Sequence, residues 1–261
     1  MRKVIIPTIL VAVLAAALLP GCEVARVGNV VTEEKDFTDF TNVDVEGAFE
    51  VKIVQADSFK TTISADDSFF DYIAISKVGD TLKIYLNPRH TFTDFTLGAK
   101  TLKAEITMPA LHGLRLSGAT RGTITGFKSS EDFSLDISGA SSLDMIDIEV
   151  GDAEFEISGA SKATGDMKAN NAEFEVSGAS KVELEGSANN MILNASGAND
   201  INLADFPLDN AEIDLNGASE ATVNAKGRVD CVVSDASSLY FLGNPTMGNI
   251  EVTGASTIKH E

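Results

Sequence analysis

One four-residue phrase recurs eight times and limits what this chain can fold into. It runs Ser117-Gly118-Ala119-Thr120, Ser138-Gly139-Ala140-Ser141, Ser158-Gly159-Ala160-Ser161 and Ser177-Gly178-Ala179-Ser180. It continues as Ser196-Gly197-Ala198-Asn199, Asn216-Gly217-Ala218-Ser219, Ser234-Asp235-Ala236-Ser237 and Thr253-Gly254-Ala255-Ser256. Successive copies start 21, 20, 19, 19, 20, 18 and 19 residues apart. A fixed period of that length is the mark of a stacked repeat, because one such unit cannot bury its apolar face alone.

The flanks carry the same regularity. One and three residues before each phrase lie Leu116 and Leu114, Ile137 and Leu135, Ile157 and Phe155, Val176 and Phe174, Ala195 and Leu193, Leu215 and Ile213, Val233 and Cys231, Val252 and Ile250. All sixteen are apolar, which at 44% apolar composition chance gives about twice in a million trials. Polar residues such as Asp136, Glu156, Glu175, Asn194 and Asp214 alternate with them. A period of two means a strand with one buried face. A second strand follows each phrase, with Leu143 and Met145, Val182 and Leu184, or Ile201 and Leu203 five and seven residues after its start. Each repeat thus reads strand, sharp corner, strand, looser turn. Glycine suits the corner because it accepts positive φ. The alanine found in every copy fits a small inward side chain at a narrow place. The expected fold is all-β: a parallel β-helix or solenoid of about eight coils, each ~20 residues, making a rod segment roughly 38 Å long. An antiparallel sandwich is the alternative.

Residues 38–110 are strand-like without the phrase. Val43, Val45, Val51 and Ile53 alternate around Gly47-Ala48, and Ile63, Leu82, Ile84 and Leu86 suggest further strands. Asp66-Asp67-Ser68 can open one short helix or turn. This region reads as an irregular β layer continuous with the repeats of 111–261, with a separate domain as the alternative.

The first 21 residues read as an export signal. Arg2 and Lys3 precede an apolar run from Val4 to Leu19, interrupted only by Pro7 and Thr8 and too short to span a bilayer comfortably. Leu19-Pro20-Gly21-Cys22 resembles the bacterial lipoprotein signal, with an aliphatic residue three before a cysteine and a small one just before it. Cys22 is then the expected site of lipidation, including palmitate, and anchors the protein to a membrane. An ordinary secretory signal with an incidental cysteine is the other reading. Residues 22–37 are expected to tether lipid to fold. Losing Arg2 and Lys3 takes the formal charge from −19 to about −21.

The export signal, the segment VDVEGAFEVKIVQAD followed by TLKIYL, and the recurrent SGAS coils together resemble the bacterial head-GIN-domain family, labelled "putative autotransporter adhesin". The resemblance spans roughly residues 36–258. It implies a β-helical exported protein with no established catalytic residues. The chain to Glu261 shows no C-terminal membrane barrel of alternating strands, so lipid at Cys22 is the expected anchor, facing periplasm or cell surface.

Composition narrows the function classes. The chain has 20 Lys and Arg against 39 Asp and Glu, which argues against nucleic acid, since phosphate binding needs clustered cations. His90, His112 and His260 form no ligand-spaced pair, so no cofactor or resident metal is expected. Cys231 occupies a core position and reads as a buried free thiol. The repeated corner serines have a structural cause, and a serine nucleophile would need a histidine beside it. Asp235, alone in replacing the corner glycine, tolerates left-handed backbone. The expected function is non-catalytic: an envelope module binding glycan, polymer or protein. A structural spacer or assembly subunit is the alternative, and a glycan-active enzyme a third. One sharper expectation concerns Glu154, Glu156, Glu173 and Glu175. Stacking should align them in outward columns about 4.8 Å apart, partly relieved by Lys162 and Lys181, where Ca²⁺ could bind.

Overall fold

The computed structural model describes residues 29–87 and 102–261. Its signature is two long sheets facing each other across one core. The repeats form eight strand pairs in chain order. Before them come β1 (Val30–Lys35), β2 (Asn42–Gly47), β3 (Glu50–Gln55), β4 (Lys60–Asp66), β5 (Ile73–Val78), β6 (Thr81–Leu86) and β7 (Leu102–Met108). The pairs are β8 (Gly113–Gly118) with β9 (Arg121–Thr125), β10 (Phe133–Ile137) with β11 (Ser142–Glu149), β12 (Ala153–Ile157) with β13 (Lys162–Lys168), and β14 (Asn171–Gly178) with β15 (Lys181–Ser187). They continue with β16 (Asn190–Gly197) and β17 (Asp200–Leu208), β18 (Asn210–Gly217) and β19 (Glu220–Ala225), β20 (Arg228–Val233) and β21 (Ser238–Leu242), β22 (Thr246–Val252) and β23 (Thr257–His260).

The even strands of the repeats stack in parallel in an 11-stranded sheet, the short sheet; the odd ones stack in parallel in a 12-stranded sheet, the long sheet. This is the parallel solenoid expected from the period, and the sandwich alternative falls away. Register is residue for residue: Phe155 faces Phe174, which faces Leu193, then Ile213, then Cys231. Phe155 and Phe174 are fully buried, their rings stacked 4.6 Å apart at an interplanar angle of 11°. Burying such ladders drives the fold, because each coil shields its neighbour's apolar face from water.

The N-terminal layer continues both sheets. In the short sheet β2 pairs in parallel with β8, so Val43 and Val45 extend the Leu114 and Leu116 ladders. In the long sheet β3 joins β9 in parallel. Beyond these the layer turns irregular: β4 runs antiparallel to β7 and to β1, and β5 antiparallel to β6. A 3₁₀ turn covers Asp67–Tyr72, where the acidic cluster opens the expected short helix or turn. Val30–Lys35 corrects one expectation. That segment falls within the expected tether, yet it is the edge strand β1, because Val31, Glu33 and Lys35 find backbone partners along β4.

The corner phrase requires a second correction. The glycines at 118, 139, 159, 178, 197 and 217 all have φ between +78° and +105°, and Gly47 opens the same column at +131°. That left-handed residue shifts the alternation of faces. The alanine after it is therefore exposed in every copy, not inward as its smallness suggested. The fourth residue goes inside instead: Thr120, Ser141, Ser161, Ser180, Asn199, Ser219 and Ser237 are all buried. At Thr120, Ser180, Asn199 and Ser219 the polar atom closes the corner onto itself, whereas Ser161 Oγ and Ser237 Oγ are buried without a partner. Thr120 Oγ1 donates to Ser117 O at 2.9 Å, Ser180 Oγ to Ser177 O at 3.0 Å and Asn199 Nδ2 to Ser196 O at 2.7 Å. Where it forms, such a bond offsets the cost of burying the polar atom, since the tight corner presents a carbonyl within reach.

The corners also hold one another. Each corner alanine N–H donates to the carbonyl of the preceding corner, from Ala119 on Gly47 at 2.6 Å to Ala255 on Asp235 at 2.6 Å. A Cβ on Gly178 would lie 2.3 Å from Gly159 O, so the close approach as well as the positive φ demands glycine. Asp235 takes the same conformation at φ +66°, and its Oδ2 accepts from Gly217 N at 3.3 Å.

Candidate functional site

The outer face of the short sheet is the most regular surface of the molecule. Side chains at every second residue point out, and parallel register turns each position into a column. Second before the phrase stand Arg115, Asp136, Glu156, Glu175, Asn194 and Asp214. Fourth before it stand Ser134, Glu154, Glu173, Ile192, Glu212 and Asp230. The two expected acidic columns are therefore present.

A further column lies sixth before the phrase, at Asp132, Asp152, Asn171, Asn190 and Asn210. Asn171 Nδ2 donates to Asp152 Oδ1 at 2.8 Å, Asn190 Nδ2 to Asn171 Oδ1 at 2.8 Å, and Asn210 Nδ2 to Asn190 Oδ1 at 2.9 Å. The ladder finishes where Arg228 N donates to Asn210 Oδ1 at 2.9 Å. Sequence reasoning missed it, although a carboxylate or amide six residues ahead of five successive phrases was the available signal. Between this ladder and the Glu154, Glu173, Ile192 column runs an open trough of about 460 Å³, with His112 at one end. A second trough, about 430 Å³, lies between the Glu156 and Glu175 column and the corner serines.

The charges are less compensated than expected. Arg115 bridges Asp136 at 2.9 Å and Arg228 bridges Asp230. Lys162 and Lys181, expected to relieve the glutamates, begin strands of the long sheet on the opposite face. Lys181 instead pairs with Asp200 at 3.3 Å, and that bond raises its pKa. The Arg228 guanidinium, followed by the Asn249 N–H, holds the Asp230 carboxyl down to about 2.

The calcium expectation is not met by the geometry. Among the described residues no three His, Cys, Asp or Glu side chains converge to hold a metal ion. Glu154, Glu156, Glu173 and Glu175 stand as straight columns, about 6.8 Å apart along a strand and about 4.8 Å between strands. Parallel in-register stacking aligns carboxylates and does not wrap them around a point, whereas Ca²⁺ takes six to eight oxygens.

The remaining singled-out residues separate. Cys231 is buried at 3% exposure, and burial raises its thiol pKa, as expected of a core side chain. His112 lies beside the first coil and His260 in the last, its ring tilted 39° against Phe241 with centroids 4.9 Å apart. Cys22 and His90 lie outside the described residues.

A search of the curated proteins finds no match. Solved structures do share the fold. One from Parabacteroides merdae, described as "a putative adhesin", has a TM-score of 0.80 at 15% identity, covering 90% of this chain and 97% of its own. One from Parabacteroides distasonis, described as "Putative lipid binding protein", has a TM-score of 0.78 at 17% identity, covering 90% and 98%. A Bacteroides fragilis structure, also described as "a putative adhesin", has a TM-score of 0.62 at 18% identity, covering 89% and 97%. The family model described as "Putative auto-transporter adhesin, head GIN domain" matches residues 39–245, and the chain belongs to that family.

Proposed function

We propose that this is a non-catalytic, lipid-anchored protein of the bacterial cell envelope that binds envelope polymer or protein through the outer face of its short sheet. The observation that carries the reading is the in-register surface itself. Columns of carboxylates, amides and hydroxyls repeat coil after coil along two open troughs. A partner with its own linear repeat can contact such a face at many equivalent points, each weak and together strong. The adhesin label of the family supports the binding role, and Leu19-Pro20-Gly21-Cys22 supports the anchor.

Two measurements test it. Full-length protein expressed in a bacterium should fractionate with membranes and take up labelled fatty acid. Cys22→Ser should remain an unprocessed, unlabelled precursor, and equal processing of both removes the anchor. The chain from Asn29 should bind an envelope glycan or fraction in a direct screen, and Asn171→Ala with Asn190→Ala should weaken that binding. Failure to bind any envelope fraction would favour a spacer role.

A further inference from the structure

The two ends of the rod differ. At the N-terminal end the long sheet finishes in β1, whose edge carries Glu33, Glu34 and Lys35, and the short sheet finishes in the antiparallel β5. Charged edges of that kind discourage further pairing. At the other end both sheets stop at parallel strands, β22 and β23, with nothing among the described residues laid over them. The core is open there. Ile250 and Val252 continue the ladders of Cys231 and Val233, which are 3% and 0% exposed, yet each is itself 46% exposed. Met247 and Ile258 lie beside them, only partly buried.

We propose that this open coil docks end to end on the same coil of a second copy, making a two-fold dimer. Three features on this end fit a second copy of the chain. First, from Gly243 onward the only charged residues are Glu251, Lys259 and Glu261, so the end carries one net negative charge in a chain of −19. Other surfaces of two such copies repel each other more strongly. Second, the backbone edges of β22, seven residues, and β23, four residues, have no partner among the described residues, and the partner's β22 is long enough to pair all of β23. Third, the end is self-complementary. Glu251 lies four residues before Ala255 and Lys259 four after it, on strands that leave the corner in opposite directions. The two side chains therefore sit at equal distance from the corner, one on each outer face. A two-fold axis parallel to the strands lays β23 antiparallel along the partner's β22. Lys259 then meets the partner's Glu251, and Ile258 meets the partner's Val252, at both seams. Because the N-terminal end lacks this pattern, association closes at two copies.

The pairing has a geometric consequence. Asn29 adjoins β1, eleven strand steps from β23 in the long sheet, or roughly 53 Å away. The two Asn29 residues of the dimer point away from each other, so copies anchored in facing membranes would bridge them. This consequence rests on the anchoring proposed above; the pairing does not.

The test uses residues 29–261, because among the described residues the buried core side chains run from Phe40 to Leu239. Sedimentation over micromolar to submillimolar concentration should show reversible conversion to two copies and nothing larger. Lys259→Glu and Glu251→Lys should each weaken self-association about tenfold or more by placing like charges at both seams. Mixed together, the two variants should pair, since every seam is again opposite in charge. Both positions are exposed, and circular dichroism will show that folding is retained. A chain that stays monomeric, assembles beyond two copies, or dimerises regardless of these charges overturns the proposal. Vesicles displaying the chain by an N-terminal tag should cluster with the parent and not with Lys259→Glu. Dimers in solution without clustering would overturn the bridging and leave the pairing standing.

Discussion

Gly178→Ala perturbs the fold by one methyl group at its most constrained point. Gly178 has φ +82°, which costs an L-residue about 1–2 kcal/mol. The added Cβ would stand 2.3 Å from Gly159 O, where ordinary contact begins near 3.4 Å. That carbonyl must retreat by roughly 1 Å, and it is the acceptor for Ala179 N at 2.7 Å. Stretching this bond past its useful range costs about 0.5–1.5 kcal/mol more. The sum is about 1.5–3.5 kcal/mol, or a fall of roughly 3–14 °C in melting temperature for a domain of this size. Gly178→Val should be worse, because a β-branched side chain resists the same backbone. The control is the next residue. Ala179 is exposed, so Ala179→Gln should stay within about 0.5 kcal/mol of the parent. Urea unfolding followed by circular dichroism measures all three, with hydrogen exchange reporting whether loss starts at this corner. A Gly178→Ala variant that melts with the parent would refute the steric argument. An Ala179→Gln variant that falls as far would put the alanine back inside.

Phe155→Ala and Phe174→Ala should each destabilise by about 3–5 kcal/mol in the same urea assay, with a double-mutant coupling of about 0.5–1.5 kcal/mol from the stacked rings. Asn199→Ala should cost about 1–3 kcal/mol, because it strips partners from Ser196 O and Ser219 Oγ inside the corner; a neutral result would mean water replaces the amide. Changing Glu154, Glu156, Glu173 and Glu175 together to Gln should raise the melting temperature at low salt, with the gain shrinking at high salt and independent of Ca²⁺; a calcium-dependent loss would contradict the geometry. Asp230 titrates near 2 against an ordinary carboxyl near about 3.9, so its contribution to stability is present above the ordinary value and is lost as pH falls toward 2. Arg228→Ala should move the Asp230 titration back up in a carbon-detected NMR experiment, and an unmoved titration would assign the shift to the Asn249 N–H instead.

Repetition made much of the architecture readable in advance. The apolar pairs before each phrase, the strand on either side of it and the stacking of Phe155 on Phe174 all follow from a period of two nested in a period near twenty. The outward glutamate columns follow as well, since register repeats every face. What local periodicity could not supply was the behaviour at the corner. Whether Ala179 or Ser180 faces inward depends on the φ of Gly178, and small size alone suits either side. The asparagine ladder was within reach of the same alignment. The two lysines were not, because their placement depends on which sheet follows the corner.

Residues outside the repeat were legible only as strand-like. The antiparallel place of β1 beside β4, and of β4 beside β7, joins segments with no shared phrase, so nothing in their own pattern specifies the partner. The open end is likewise a property of the stack. Ile250 and Val252 carry the same apolar signal as Cys231 and Val233, and differ in that no strand among the described residues lies beyond them. Within the strands, sequence determined which side chains point toward the core; only the tertiary structure decided the corners and which side chains were covered, because burial depends on neighbours about twenty residues away.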